Sequence, residues 1–287
     1  MTDSHIHNTA EQSNNNQAYT AEQWSKIETV LLDMDGTLLN NKSEVSNRFF
    51  IQFEELKKRK IHFVAASGRQ YQSILEKLDT IKHDISIIAE NGGIMQHNNE
   101  TNILLKLSNK DVKKAVNQLR NIKDCYIVLC GKKAAYIETN NEKFISKFSQ
   151  YYAEYKIVED LTKITNDDFL KIAVYHFNSS ETYVFPHLKQ LATELQIIVS
   201  GQNWLDISHA NANKAYALNK LQKELGITME ETMVFGDYNN DLQMLELAHF
   251  SYAMENAHPD VKKIARFQTK SNSEEGVEII LDQLLSS

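Results

Sequence analysis

Residues 30–40 read VLLDMDGTLLN. An apolar run stops at two aspartates one residue apart, and a glycine follows. A buried strand has no use for carboxylates, because removing them from water is costly. Charge where a strand ends, followed by a turn residue, points to chemistry at that end. A spacing of two puts Asp33 and Asp35 on the same side of an extended strand end. An aspartate is ionised at neutral pH, with a reference pKa of about 3.9, and needs no activation to act as a nucleophile. A second carboxyl beside it can serve as acid and base, since clustered carboxylates push their pKa values apart. Gly36 lets the backbone turn sharply. The plainer reading is a turn and helix cap, because Asp-Gly is a common turn pair.

The neighbouring segments repeat the theme. Residues 43–60, SEVSNRFFIQFEELKKRK, place Val45, Phe49, Phe53 and Leu56 at helical spacing. IHFVAASGR (61–69) is another apolar strand that ends in small polar residues. QYQSILEKLDTI reads as a helix, and ISIIAENGG (85–93) as a third strand. Strands alternating with helices, with polar residues where strands stop, predict a parallel sheet with crossover helices. The middle of the chain has a different rhythm. DVKKAVNQLR is helical, and CYIVLC and KAAYIET read as adjacent strands. NEKFISKFSQYYAEY is helical, FLKIAVYHF a strand, PHLKQLATELQ a helix opened by Pro186, and IIVSGQNWLDIS more strand. The first rhythm then returns. NKAYALNKLQKELG is a helix stopped by Gly226, TMVFGD a short strand ending in Asp237, DLQMLELAH a helix, FSYAME a strand, and HPDVKKIA a helix start. The expected fold class is α/β, with a Rossmann-like parallel-sheet core split in sequence by an inserted α+β domain. The expected bounds are a polar, disordered tail at 1–25, core at 26–106, inserted domain at 107–200, and the rest of the core at 201–287.

Three more strand ends carry candidate residues. Ser67 and Gly68 offer a hydroxyl and bare amides to an anion, or an ordinary helix cap. Lys214 at a helix start opposes the helix dipole, an oddity relieved if it faces phosphate, though surface lysines are common. Asp237, Asn240 and Asp241 in VFGDYNNDLQML are hard oxygen donors of the kind Mg²⁺ takes, or caps of the next helix.

Bulk properties narrow the classes. The chain has 287 residues and a formal net charge of -7, without the basic face of a nucleic-acid binder. No apolar run reaches the roughly 18 residues of a membrane span, and the N-terminus lacks signal-peptide order. The 2 cysteines, Cys125 and Cys130, read as reduced thiols of a cytoplasmic protein. Among the 10 histidines there is no zinc-type spacing, and His5 and His7 fall in the tail. No glycine-rich nucleotide loop is present. The charge run EELKKRK reads as an exposed helix end, and Tyr151, Tyr152 and Tyr155 as the core of the inserted domain.

Taken together, DMDGTLL, ASGR, ENGG, GDYNNDLQMLE, YAMENAHPDVKKIA and NSEEGV resemble the haloacid dehalogenase-like hydrolases, and among them the Cof-like subfamily, whose α/β cap is inserted after the second motif. The resemblance runs from about residue 27 onward, with the inserted domain similar only in pattern. One departure is Ala215, where the family usually has glycine after the motif lysine.

The resemblance implies a Mg²⁺-dependent phosphatase of small phosphorylated metabolites, such as sugar phosphates or cofactors. Asp33 would be the nucleophile that forms an aspartyl-phosphate, and Asp35 the acid and base. Mg²⁺ would be held by Asp33, the main-chain oxygen of Asp35, and Asp237, with Asp241 behind them. Met34, Ser67, Gly68, Lys214 and Asn240 would hold the phosphoryl group. Thr37 would orient the nucleophile, and Arg69 and Asn91 would touch the rest of the substrate. The expected partners are a small metabolite and, at most, further copies of the chain as a small homo-oligomer, with no nucleic acid or membrane. A phosphomutase of the same fold and a non-catalytic phosphometabolite sensor are the alternatives.

Overall fold

The computed structural model describes residues 21–152 and 154–287. Most of the expected tail, with His5 and His7, lies outside the described residues. Its last part departs from the expectation of disorder. Ala21–Trp24 forms a helical turn, and the buried Trp24 ring lies 6.0 Å from that of Phe250. The large apolar surface of the indole is what anchors this stretch.

Among the described residues the strands form two sheets. In chain order they are β1 (Thr29–Asp33), β2 (His62–Ala66), β3 (Ser86–Ala89), β4 (Ile94–His97), β5 (Glu100–Ile103), β6 (Tyr126–Gly131), β7 (Ala135–Ile137), β8 (Tyr155–Ile157), β9 (Phe169–Tyr175), β10 (Leu195–Val199), β11 (Trp204–His209), β12 (Thr232–Gly236), β13 (Phe250–Ala253) and β14 (Phe267–Gln268). The first sheet has the order β14-β13-β12-β1-β2-β3-β4-β5. It is parallel from β14 to β3. β1 is buried along its whole length between β12 and β2, with Leu31 level with Val234 and Val64. A strand covered on both faces needs a continuous apolar run, which is what TVLL supplies. From β1 the chain builds outward through β2 and β3 on one side, and later through β12 and β13 on the other. The order therefore reverses at β1 and β12, and the crevice beyond their carboxyl ends is where open α/β sheets bind ligands.

The β4–β5 hairpin interrupts the expected alternation of strands and helices. Its two-residue turn, Asn98-Asn99, has φ of 50° and 62°, a conformation that asparagine tolerates better than most residues.

The second sheet has the order β10-β11-β9-β6-β7-β8. Its pairs are antiparallel except β7–β8. Both faces are covered: Ile127 and Leu129 of β6 join one apolar cluster, and Val128 and Cys130 join another. Two expectations need correction here. The sheet includes β11, which lies beyond the expected boundary at residue 200. The turn SGQN closes the β10–β11 hairpin, with Val199 opposite Leu205. The helix expected over PHLKQLATELQ is instead two 3₁₀ turns, Phe185–Leu188 and Leu191–Thr193. Leu188 and Leu191 are buried three residues apart, the repeat of a 3₁₀ turn rather than of an α-helix.

Candidate active site

Four strand ends of the first sheet meet in one crevice. Asp33 closes β1, and Gly36 follows with φ of 78°. A Cβ on Gly36 would lie 2.1 Å from Asp237 Oδ2, so only glycine lets the Asp237 carboxylate approach this turn. Asp237 itself follows β12, and the Asn256 side chain donates to the Gly36 carbonyl at 2.8 Å, tying the MEN stretch to the same turn. Lys214 is the first residue of the helix Lys214–Leu225, which Asn213 caps by accepting from the Tyr216 amide at 2.7 Å. Gly92 makes the approach of that helix start possible, since a Cβ there would sit 2.3 Å from the Asn213 carbonyl.

The Lys214 ammonium is fully buried. It donates to Asp33 Oδ1 at 2.5 Å and to Asp241 Oδ1 at 2.7 Å. Asp241 Oδ2 accepts the amides of Asp237 and Tyr238 at 2.9 and 3.1 Å, so Asp241 has no oxygen to spare and fixes the loop. Asp33 Oδ2 is buried with no partner. Carboxylate oxygens of Asp33, Asp237 and Asp241 lie within 4.8 Å of one another. Two buried acids and the half-buried Asp237 against one ammonium leave negative charge in excess. Burial, with the Asp241 charge second, pushes Asp33 up to about 7, and burial with the Asp33 charge raises Asp237 well above the usual carboxylate range. Burial works against the Lys214 charge, yet Asp241 and Asp33 hold its pKa above the usual value. The hard-oxygen donor set, the orphaned oxygen and the uncompensated charge fit a divalent cation such as Mg²⁺.

The remaining expected residues fall around this cluster. Met34 and Thr37 are buried in the turn, and Thr37 Oγ1 has no partner. Ser67 follows β2, and its Oγ accepts the Arg69 amide at 3.0 Å. Gly68 packs against the Asn91 side chain, where a Cβ would lie 3.0 Å from Asn91 Oδ1. Asn91 is buried and bridges two groups: it donates to Asp206 Oδ2 at 2.6 Å and accepts from Asn240 at 3.2 Å. It is therefore spoken for on both sides and does not line the cavity. Arg69 does line it, but holds Asp35 in a two-pronged pair, Nε to Oδ2 at 2.7 Å and Nη2 to Oδ1 at 2.6 Å.

The cavity above the cluster has a volume of about 440 Å³. Asp33, Asp35, Ser67, Asp237 and Asn240 form one wall, and the second sheet forms the other. That second wall carries Tyr151, Tyr175, Trp204, Gln202 and Asn203, together with Lys171 and Asp206. The tyrosines expected as core divide. Tyr152 is buried, Tyr151 faces the cavity, and Tyr155 sits on edge strand β8 with 36% exposure.

A second buried charge cluster joins the two sheets. Lys171 Nζ lies 3.3 Å from Glu90 Oε2 and 3.4 Å from Asp206 Oδ1, and donates to the Gly68 carbonyl. Burial is the main cause that raises Glu90 to about 7, against the opposing pull of Lys171. The cluster's signal in the sequence is charge inside apolar runs. A lysine inside FLKIAVY and an aspartate inside WLDIS are charges in buried strands, like Asp33 in β1.

With this geometry in hand, comparison with known proteins places the chain among relatives. A profile of the haloacid dehalogenase-like hydrolases matches residues 30–281. The chain is 31% identical over 262 residues to the 5-amino-6-(5-phospho-D-ribitylamino)uracil phosphatase YbjI of Escherichia coli K12, covering 90% of this chain and 96% of the relative. It is 26% identical to another 5-amino-6-(5-phospho-D-ribitylamino)uracil phosphatase, YcsE of Bacillus subtilis 168, over 88% of this chain and 93% of that one. The crystal structure of SMU.1108c from Streptococcus mutans UA159 superposes with a TM-score of 0.85 at 29% identity, covering 91% of this chain and all (100%) of the other.

Proposed function

Because the chain belongs to the haloacid dehalogenase-like hydrolases and is a phosphatase, we propose that it hydrolyses phosphate monoesters of small metabolites through an aspartyl-phosphate on Asp33. The observation that carries this reading is Asp33 itself. One of its oxygens is held by Lys214 while the other is buried and unpartnered on the cavity floor. Asp33 would attack phosphorus as the ester P–O bond breaks, and Asp35 would give a proton to the departing alkoxide. Asp35 would then take a proton from the water that attacks phosphorus, and the Asp33 carboxylate would leave. Lys214, the Ser67 hydroxyl, the Gly68 and Met34 amides and Asn240 would hold the phosphoryl oxygens as charge develops. Thr37, buried beside Asp33 in the turn, would keep that carboxylate oriented. Asp33, the Asp35 main-chain oxygen and Asp237 would hold Mg²⁺, with Asp241 behind them. When bound, the ion offsets repulsion between the carboxylate and the phosphate.

We place the inserted domain at residues 107–209 and assign it the leaving group. A cavity of this size, walled by Trp204, Tyr151 and Tyr175 beside the amides of Gln202 and Asn203, suits a polyol phosphate that carries a planar polar ring. Such a substrate shares its chemistry with the phosphoribitylaminouracil named for the E. coli relative. A cytoplasmic location fits the two free cysteines, whose thiols burial holds protonated.

The test is phosphate release from a panel of ring-bearing and simple sugar phosphates, with and without Mg²⁺, beside Asp33→Asn. Mg²⁺-dependent release that the substitution abolishes is the expected result. Release by Asp33→Asn at the native rate would overturn the assignment. An isomerised phosphate ester in place of free phosphate would make the protein a mutase.

A further inference from the structure

We propose that Arg69 is a positioning residue that ties the seating of the inserted domain to the orientation of Asp35. The proposal rests on the reading of Asp35 as the acid and base. Arg69 is buried, and four hydrogen bonds from its guanidinium end on protein atoms. Two go to the Asp35 carboxylate and one to Ser73 Oγ at 3.2 Å. The fourth crosses to the inserted domain, from Nη1 to the Gln150 carbonyl at 2.9 Å. The next residue of that domain, Tyr151, lays its ring 4.9 Å from the guanidinium carbon. The planar fork thus has one edge on the acid–base carboxylate, while its outer nitrogen and its face rest on the inserted domain. Both Asp35 oxygens are bound in the plane of the fork, so the carboxylate can turn only as the guanidinium turns.

The rest of the loop grips the same domain. Gln70 forms a two-way clamp on the Glu154 backbone, donating to its carbonyl at 3.0 Å and accepting its amide at 3.2 Å. The Gly68 carbonyl accepts from Lys171 of β9. Three consecutive residues therefore hold the inserted domain, and they directly follow Ser67, which lies on the cavity wall. With four of its five donors committed in this way, Arg69 acts on Asp35. A seated domain fixes the fork through Gln150 and Tyr151. A lifted domain leaves the fork anchored only at Ser73 and Asp35, and the proton donor loses its fixed aim.

The experiment compares two esters. A nitrophenyl phosphate has a leaving group acidic enough to depart without a proton, whereas a sugar phosphate needs one. Arg69→Ala is expected to lower kcat/KM on the sugar phosphate by at least about tenfold more than on the nitrophenyl ester, within the roughly 10²–10⁴ that general acids contribute. Arg69→Lys keeps the charge but not the fork, and is expected to leave that gap open. Gln70→Ala is expected to open a smaller gap in the same direction. Asp35 is 42% exposed, so Arg69→Ala strands no buried carboxylate, and melting curves check that the variants fold. Equal losses on both esters, or full rescue by Arg69→Lys, would overturn the proposal. Amide exchange at Glu154 reads the grip without turnover, and both Gln70→Ala and Arg69→Ala should speed it. Unchanged exchange also overturns the proposal. Wild-type protein inactive on both esters would instead sink the phosphatase mechanism, while the exchange result would still decide whether the loop seats the domain.

Discussion

Lys214 Nζ lies 2.5 Å from Asp33 Oδ1, although 181 residues separate the two in the chain. The same ammonium holds Asp241 at 2.7 Å. It is the one cation in direct contact with the buried acids of the site among the described residues. Lys214→Ala should therefore destabilise the protein by about 3–5 kcal/mol in the absence of metal, the usual cost of stranding buried charge. Added Mg²⁺ should recover part of that loss by supplying positive charge to the same oxygens. Urea unfolding with and without Mg²⁺ measures both effects. A variant as stable as the wild type in metal-free buffer would contradict the electrostatic account.

Gly36→Ala should lower Mg²⁺ affinity by roughly 10–100-fold, the range seen when supports of metal ligands are disturbed. The new Cβ would overlap the Asp237 carboxylate, and the φ of 78° adds strain of about 1–2 kcal/mol. Calorimetric titration of Mg²⁺ reads the affinity directly. Native affinity in the variant would show that Asp237 is not held in place by this turn.

Glu90 gives the protein a stability slope near neutrality. Its folded-state pKa is raised from 4.5 to about 7, chiefly by burial. The folded state therefore binds a proton that the unfolded state has released, and stability falls as pH rises from about 4.5 through 7. Glu90→Gln removes this slope. The variant should gain on the wild type, by about 2–3 kcal/mol, as pH goes from 5 to 8. Melting temperatures across that range test it. A difference between variant and wild type that does not change with pH would refute the assignment.

Trp204→Ala should cost more with ring-bearing phosphates than with simple sugar phosphates, by roughly tenfold in the ratio of their kcat/KM values. Taking a ratio cancels any general loosening, since Trp204 also packs on Tyr175 with centroids 4.9 Å apart. An unchanged ratio would remove the stacking role.

Much of the core was legible in the sequence because its strands are buried on both faces. VLLD and TMVFGD are short apolar runs that end in aspartate, a pattern with few structural uses. The inserted domain was harder to read. The expected bound at residue 200 falls inside the β10–β11 hairpin, because hairpin turns and linkers share small polar residues. Phe185, Leu188 and Leu191 recur every three residues, which over so short a stretch is close enough to the helical repeat to mislead. Asn98-Asn99 was the unread sign of the β4–β5 hairpin. The cavity wall of Tyr151, Tyr175 and Trp204 comes from segments far apart in the chain, so no local pattern could assemble it. Arg69 stands at a strand end, but its partner Gln150 follows a helix of the inserted domain and only the fold brings them together.

The place of β1 in its sheet has a consequence for synthesis on the ribosome. β1 pairs with β2 early, but its other neighbour, β12, begins only at Thr232. Until then the nascent chain carries an apolar strand with one unpaired edge, and Asp33 without its lysine. Such an edge is a template for wrong pairing and for chaperone capture. A chain cut after residue 231 should aggregate or stay chaperone-bound, and a soluble, monomeric fragment of that length would argue that the edge is covered in some other way.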